Sequence, residues 1–144
     1  MTVHRGAFTY AEVSALAKKL PDSEADVGEV DMQPDWISCI DVGWHVDDGM
    51  PNPWSALVLI HGLITIESRG GGMKPKSFTL IPGDMVIMNI HREHRAYSSH
   101  LEAAFLLFYD FEKRPSKAFS LECLRDTASY CNAMCDVEPL KVTA

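Results

Sequence analysis

LIPGDMVIMNIHREHRA, Leu80 to Ala96, is the stretch whose reading decides the fold. Pro82-Gly83-Asp84 is turn chemistry: proline presets φ, glycine accepts positive φ, and aspartate bonds nearby backbone. An apolar run of strand length follows, Met85 to Ile90, and it leads directly to His91 and His94. A short run bounded by turn residues is a buried strand. This strand delivers imidazoles to its far end.

Working outward, the same grammar repeats. WISCIDVGWHV, from Trp36, is rich in β-branched and aromatic residues, which favour strands. The cluster Asp47 to Pro53 is a turn, with prolines that cannot donate to a central ladder. Trp54 to Glu67 divides into two strand halves at Gly62, and Ser68 to Lys76 is a glycine-rich hairpin tip. Phe78 to Ile81 and Leu101 to Phe111 complete the strands. The expected fold class is all-β, a sandwich or barrel, with its strands between about 36 and 111.

Helices flank this region. Thr9 and Glu12 have capping-box spacing ahead of Val13, Leu16 and Leu20, which predicts a helix over about 10–20. Pro21-Asp22-Ser23 ends it, and Glu24 to Pro34 reads as a polar connection. A second helix is expected over about 120–135, with Leu121, Leu124, Ala128 and Cys131 on one side. Cys131 and Cys135 share a helical face, but no second pair has zinc-site spacing, so the cysteines read as small apolar residues.

A chain of 144 residues supports one core, and 47% hydrophobic with 23% charged residues is ordinary globular composition. A net charge of −7 argues against a nucleic-acid surface. No apolar run reaches bilayer-spanning length, so no membrane partner is expected. The N-terminal MTVHRGAFTY lacks a signal-peptide core, which places the expected location in the cytoplasm. Gly70-Gly71-Gly72 lacks the Lys-Ser/Thr of a phosphate loop.

Over about Trp36 to Phe111 the chain resembles the cupin family, whose two motifs read G, five residues, H-x-H, three or four residues, E, six residues, G, and G, five residues, P-x-G, two residues, H, three residues, N. Gly43 and Gly62 match the outer glycines of the first motif, and the ligand positions then fall on Gly49, Pro51 and Ser55. Gly83 and His94 match the second motif, whose Pro-x-Gly becomes Asn89-Ile90-His91 and whose Asn becomes Ser98. The resemblance implies a cupin-like double-stranded β-helix, a jelly-roll barrel, with His94 in its mouth.

Two functional expectations follow. Because Gly49, Pro51 and Ser55 cannot form the family's ligand set, the first is a barrel that binds a small molecule or a partner without the usual metal cage. Strand alternation puts Ser55, Leu57, Leu59 and His61 on one face, so Trp54, Ser55, His61 and Tyr97 are the candidate ligand-binding residues. The second is a metalloenzyme of dioxygenase, isomerase or lyase type. Its divalent transition metal would sit in a rearranged site around His91 and His94, with His45 as a third ligand. His94 is then the leading catalytic candidate, since imidazole moves protons near neutrality. Asp47, Asp48 and Glu93 could add carboxylates but read as surface charge. The strongly apolar Leu101–Phe111 run suggests a homodimer.

Overall fold

The computed structural model describes residues 1–20, 29–32, 36–39, 41–70, 74–98 and 103–137, without side-chain detail for 29–32, 36–39 and 130–137. In chain order the described elements are β1 (Thr2–His4), α1 (Tyr10–Ala17), β2 (Glu29–Met32), β3 (Trp36–Cys39), β4 (Asp41–His45) and β5 (Trp54–His61). They continue as β6 (Ile64–Ser68), β7 (Lys76–Leu80), β8 (Met85–Asn89), β9 (His94–Tyr97), β10 (Ala104–Phe111) and α2 (Lys117–Val137).

The strands form a larger sheet in the order β1-β8-β5-β10-β3-β2 and a smaller sheet in the order β4-β9-β6-β7. Every pairing is antiparallel. From β3 to β10 the chain crosses repeatedly between the sheets, and the two four-strand orders β3-β10-β5-β8 and β4-β9-β6-β7 are those of a jelly roll. The expected jelly-roll barrel with flanking helices is the observed fold.

In the larger sheet β5, β8 and β10 are apolar on both faces, and both faces are covered. Met85 to Met88 are all buried, which is why this strand reads as an unbroken apolar run rather than an alternating one. Met85 and Ile87 join Ala56, Val58, Ile60, Leu107 and Phe111 on the outer face, under Val13 and Leu16 of α1 and Leu124 and Ala128 of α2. Val86 and Met88 point inward with Leu59 and Leu106, against Ile64, Ile66 and Leu80 of the smaller sheet. Within the Leu101–Phe111 run, β10 is paired on both sides by β3 and β5, with Leu106 packed on the inner face and Leu107 and Phe111 on the outer one.

The Pro82-Gly83-Asp84 turn anchors the N-terminal arm. The Asp84 carboxylate is 2% exposed and accepts from the backbone N–H of Ile81 at 3.0 Å and of Gly6 at 2.9 Å, and from Arg5 Nη1 at 2.8 Å. Burial alone would raise its pKa, but the two N–H donors and the Arg5 guanidinium together hold it below the ordinary value. Beside it, Phe8 N–H donates to the Gly83 carbonyl at 3.0 Å.

Each helix begins on a cap. Thr9 and Glu12 form the expected capping box, with bonds of 3.1 and 2.9 Å. The Ser116 hydroxyl accepts from Phe119 N–H, which starts α2 three residues earlier than its sequence suggests. The first helix is shorter than expected, ending at Ala17, and Pro21-Asp22-Ser23 lies outside the described residues. Two strands, β1 and β2, were not legible as strands. The first is three residues long, and the second sits in a polar segment at a sheet edge, where charged residues are the rule. Cys123 is buried on the core side of α2, and the side chains of Cys39, Cys131 and Cys135 lie outside the described residues.

Two outcomes follow. Gly83 has φ +99°, and a Cβ there would meet the Phe8 carbonyl oxygen at 2.8 Å. Gly83→Ala should therefore destabilise the fold by about 2 kcal/mol or more in chemical denaturation; an unchanged midpoint would refute this packing of the arm. Glu12 also accepts from Arg125 of α2 at 2.8 Å, and chiefly that bond lowers its pKa from 4.5 to about 2. A depressed acid pKa stabilises above its ordinary value and loses that stabilisation as pH falls towards the folded one. Glu12→Gln should thus lower the denaturation midpoint near neutrality, with the difference closing between 4.5 and about 2.

Candidate functional site

One extra residue in β4 sets the site. Val42 pairs with Ala96 and His45 with His94, so Gly43 and Trp44 together oppose Arg95 in a β-bulge. Strict alternation would send His45 to the face opposite Val42. The bulge restores its phase, and His45 faces the barrel interior beside His94. Trp44 is turned outward instead, with Arg69 and Arg95 guanidinium groups 3.9 and 4.9 Å from its ring centre. Arg95 is further held there by Glu67, across the β6–β9 pair.

His94 opens β9 and is buried, with the His45 ring tilted against it at 58° and a centroid distance of 4.3 Å. Asp47 comes from the turn that follows β4. Its N–H donates to the Ile90 carbonyl at 2.8 Å, and its own carbonyl accepts from Met50 N–H at 3.0 Å, which pins the turn to the end of β8. The Asp47 carboxylate then lies 3.0 Å from His94 Nε2 and 3.6 Å from His45 Nε2. One ligand atom from each of His45, Asp47 and His94 falls within 4.8 Å of the others. Tetrahedral bonds of about 2.0 Å need ligand atoms about 3.3 Å apart, so small side-chain rotations close the set around an ion.

The second nitrogens fix the chemistry. His45 Nδ1 faces the Gly43 carbonyl at 2.7 Å, and His94 Nδ1 faces the Arg92 carbonyl at 2.7 Å. A carbonyl oxygen only accepts, so each Nδ1 carries the hydrogen. In the neutral rings both Nε2 lone pairs then point at the lone pairs of a carboxylate. That arrangement calls for a cation between them, either a shared proton or a metal ion. Two imidazoles and one carboxylate, each oriented by an outer bond, are a transition-metal donor set. Asp47 and His45 are half-buried, so the group opens to solvent on their side.

Against this group lies a cavity of about 190 Å³. Leu57, Ile64, Ile66, Leu106 and Phe108 supply most of its wall, and Asp47, Ser55, His94 and Asp110 its polar groups. The alternation along β5 holds. Ser55 and Leu57 line the cavity, and Leu59 continues the same face into the inner core. The other sequence candidates lie elsewhere. His61 is exposed at the far end of β5, 6.3 Å from the Phe105 ring. Trp54 packs on the outer core beneath Arg114. Tyr97 stands near Arg95 on the outer face of β9. His91 is exposed in the β8–β9 turn, where Nε2 contacts the Met50 carbonyl at 2.8 Å, so it braces the Asp47 turn from outside the group.

Asp47, named in the sequence as a possible carboxylate ligand but read as surface charge, is the residue whose place was missed. Counting from glycine to glycine placed the first-motif ligands on Gly49, Pro51 and Ser55, within and beyond the turn. The chain had in fact presented its ligand-type pair earlier, as His45-Val46-Asp47 at the end of β4. That two-residue spacing, ending in an acid, was the available signal.

No known family profile and no curated protein matches this chain. Among solved structures, it is similar to oxalate decarboxylase from Bacillus subtilis at pH 4.6, with 14% identity and a TM-score of 0.44 over 56% of this chain and 21% of that one. Another structure of that enzyme gives 13% identity and a TM-score of 0.46 over 68% and 29%. Drosophila melanogaster CENP-C bound to CAL1 gives 14% identity and a TM-score of 0.41 over 53% and 63%. The chain thus aligns with less than a third of either oxalate decarboxylase chain.

The tautomer assignment is directly measurable. In alkaline solution without metal, nitrogen-15 correlation spectra should show His45 and His94 with hydrogen on Nδ1. The reverse pattern at either ring would remove the outer bond on which the donor set depends.

Proposed function

We propose that this chain is a jelly-roll protein that holds a divalent transition metal with His45, Asp47 and His94 and binds a small, largely apolar molecule in the adjoining cavity. The observation that carries the metal is the pair of Nε2 lone pairs facing one carboxylate, with both Nδ1 positions already committed to carbonyls. This favours the metalloprotein reading over a metal-free barrel, with Asp47 in place of His91 beside His45 and His94. A set of two histidines and one carboxylate leaves open coordination positions, and those would face the half-exposed side of the mouth. A bound metal would supply Lewis acidity to a ligand oxygen, which is shared by several reaction classes on this architecture.

The residues of the chain have separable tasks in this proposal. Gly43 and Arg92 carbonyls orient the rings, the Ile90 carbonyl fixes the turn that carries Asp47, and the apolar wall excludes water from the ligand body. Small-molecule binding without metal is the second reading, supported by the mainly apolar wall of the cavity. Two β-strand sheets and the absence of any helix long and apolar enough to cross a membrane, among the described residues, are compatible with either.

Tag-free protein should bind about one Co(II), Mn(II), Fe(II) or Zn(II) per chain and unfold at higher temperature in its presence. Metal at about one hundred times its dissociation constant should add about 2.7 kcal/mol. His94→Ala and Asp47→Asn should each lower the affinity at least tenfold, whereas His91→Ala should leave it within about threefold. No binding by calorimetry, or equal binding in all three variants, would overturn the metal assignment.

A further inference from the structure

Ser55 lies on β5 of the larger sheet and His94 on β9 of the smaller one, and both side chains line the cavity between them. Ser55 is 4% exposed, and among the described residues its hydroxyl has no hydrogen-bond partner. Other buried hydroxyls of this chain are bonded. Thr65 pairs with Thr79 at 2.9 Å, and Ser120 and Thr127 donate to the carbonyls of Ser116 and Cys123 at 2.7 and 3.1 Å. The difference has a backbone cause. A helix offers its hydroxyls a carbonyl one turn back. Ser55 instead sits in a strand flanked on both sides, so the ladders to β8 and β10 take up the backbone around it. Asp110, across the ladder, is engaged in an interaction of its own.

A buried hydroxyl without a partner is disfavoured, because it has given up the water it bonded in the unfolded chain. Alanine would occupy the same place without that penalty. The surroundings of Ser55 are apolar, with Leu57, Met88, Leu106 and Phe108 on the same wall. Arg95 also borders the cavity, but its guanidinium is held by Glu67 and lies over Trp44 and Tyr97 on the outer face. A carboxylate placed beside Ser55 would therefore be desolvated without a cation among the described lining residues, whereas a neutral oxygen needs only the hydroxyl. The volume is also restrictive: about 190 Å³ is slightly more than the ~150 Å³ apolar cavity that accepts benzene.

We propose that Ser55 determines the specificity of the cavity, its hydroxyl donating to the neutral oxygen of a small ketone or alcohol whose apolar body, of ring size, packs on Leu57 and Phe108. This rests on the small-molecule half of the function proposed above and is independent of the metal. The hydrogen bond exists only when the ligand is present, so the same hydroxyl weakens the empty fold and strengthens the occupied one.

Cyclohexane, cyclohexanone, cyclohexanol and cyclohexanecarboxylate share one ring and test it, by saturation-transfer NMR and calorimetry on protein stripped with chelator. Water holds the ketone more strongly than the hydrocarbon, so the quantity read is each compound's ratio between parent and variant. Ser55→Ala should weaken cyclohexanone and cyclohexanol at least about threefold, the loss of one net hydrogen bond, and leave cyclohexane within about twofold, which also reports an intact cavity. Ser55→Thr keeps the hydroxyl and should restore the ketone, and cyclohexanecarboxylate should bind weakest to the parent. Without ligand, Ser55→Ala should leave the denaturation midpoint unchanged or raise it, a result that a structural role for the hydroxyl would not give. A lowered midpoint, a ketone affinity equally low in Ser55→Thr, or a carboxylate that binds as well as the ketone would each overturn the proposal. Equal effects of Ser55→Ala on ketone and hydrocarbon would remove the role of Ser55 and leave small-molecule binding standing, whereas no binding of any of the four compounds would overturn both.

Discussion

A sheet that is apolar on both faces has to be covered twice, and this chain is arranged around that requirement. β5, β8 and β10 present Ala56, Val58, Met85, Ile87 and Leu107 to one side and Leu59, Val86, Met88 and Leu106 to the other. Burying each such side chain contributes on the order of 1.5–3 kcal/mol, so neither face can be left in water. The helices take the outer face and the smaller sheet takes the inner one. The inner packing is tight around Leu59, Ile64 and Leu80 but opens towards Ser55, His94 and Asp110, and the cavity is the region between the sheets that side chains do not fill. The same requirement explains the buried Asp84. An arm that crosses the sheet edge to bring α1 over the outer face needs a fixed departure point, and a carboxylate with three donors supplies it.

Much of this was legible in the sequence because it is local. The Pro82-Gly83-Asp84 turn, the apolar run after it, the Thr9–Glu12 box and the break at Gly62 each depend on neighbouring residues. Alternation along Trp54 to His61 correctly assigned Ser55 and Leu57 to the interior, because a period of two has no freedom once one position is fixed. What was not legible depends on pairing. The bulge at Gly43 and Trp44 exists only relative to Arg95 on β9, and nothing in the residues of β4 alone gives its phase. Asp47 stands in a run of turn-forming residues and looks like surface charge until its N–H is seen bound to Ile90. His91 and His94 are three residues apart and chemically alike, but one lies in a turn and the other begins a strand.

The two halves of the mouth differ in how they are satisfied. On the smaller sheet every nitrogen of the histidine pair has an oxygen opposite it, and what is in short supply is positive charge. On the larger sheet the buried Ser55 hydroxyl is without a partner among the described residues. Neither deficit would be apparent from fold alone, since jelly rolls with entirely apolar interiors obey the same strand order.

The bulge in β4 has a consequence for how such a site is gained or lost over time. Because His45 reaches the interior only through a surplus residue between it and Val42, the feature is encoded in chain length and not in side-chain identity. Deleting either Gly43 or Trp44 would leave every ligand-type residue in place and the strand order intact, and would turn the imidazole outward. Loss or gain of a single codon is therefore one genetic path between a barrel with this His45–Asp47–His94 group and one without it, and relatives compared by residue identity alone would conceal the difference.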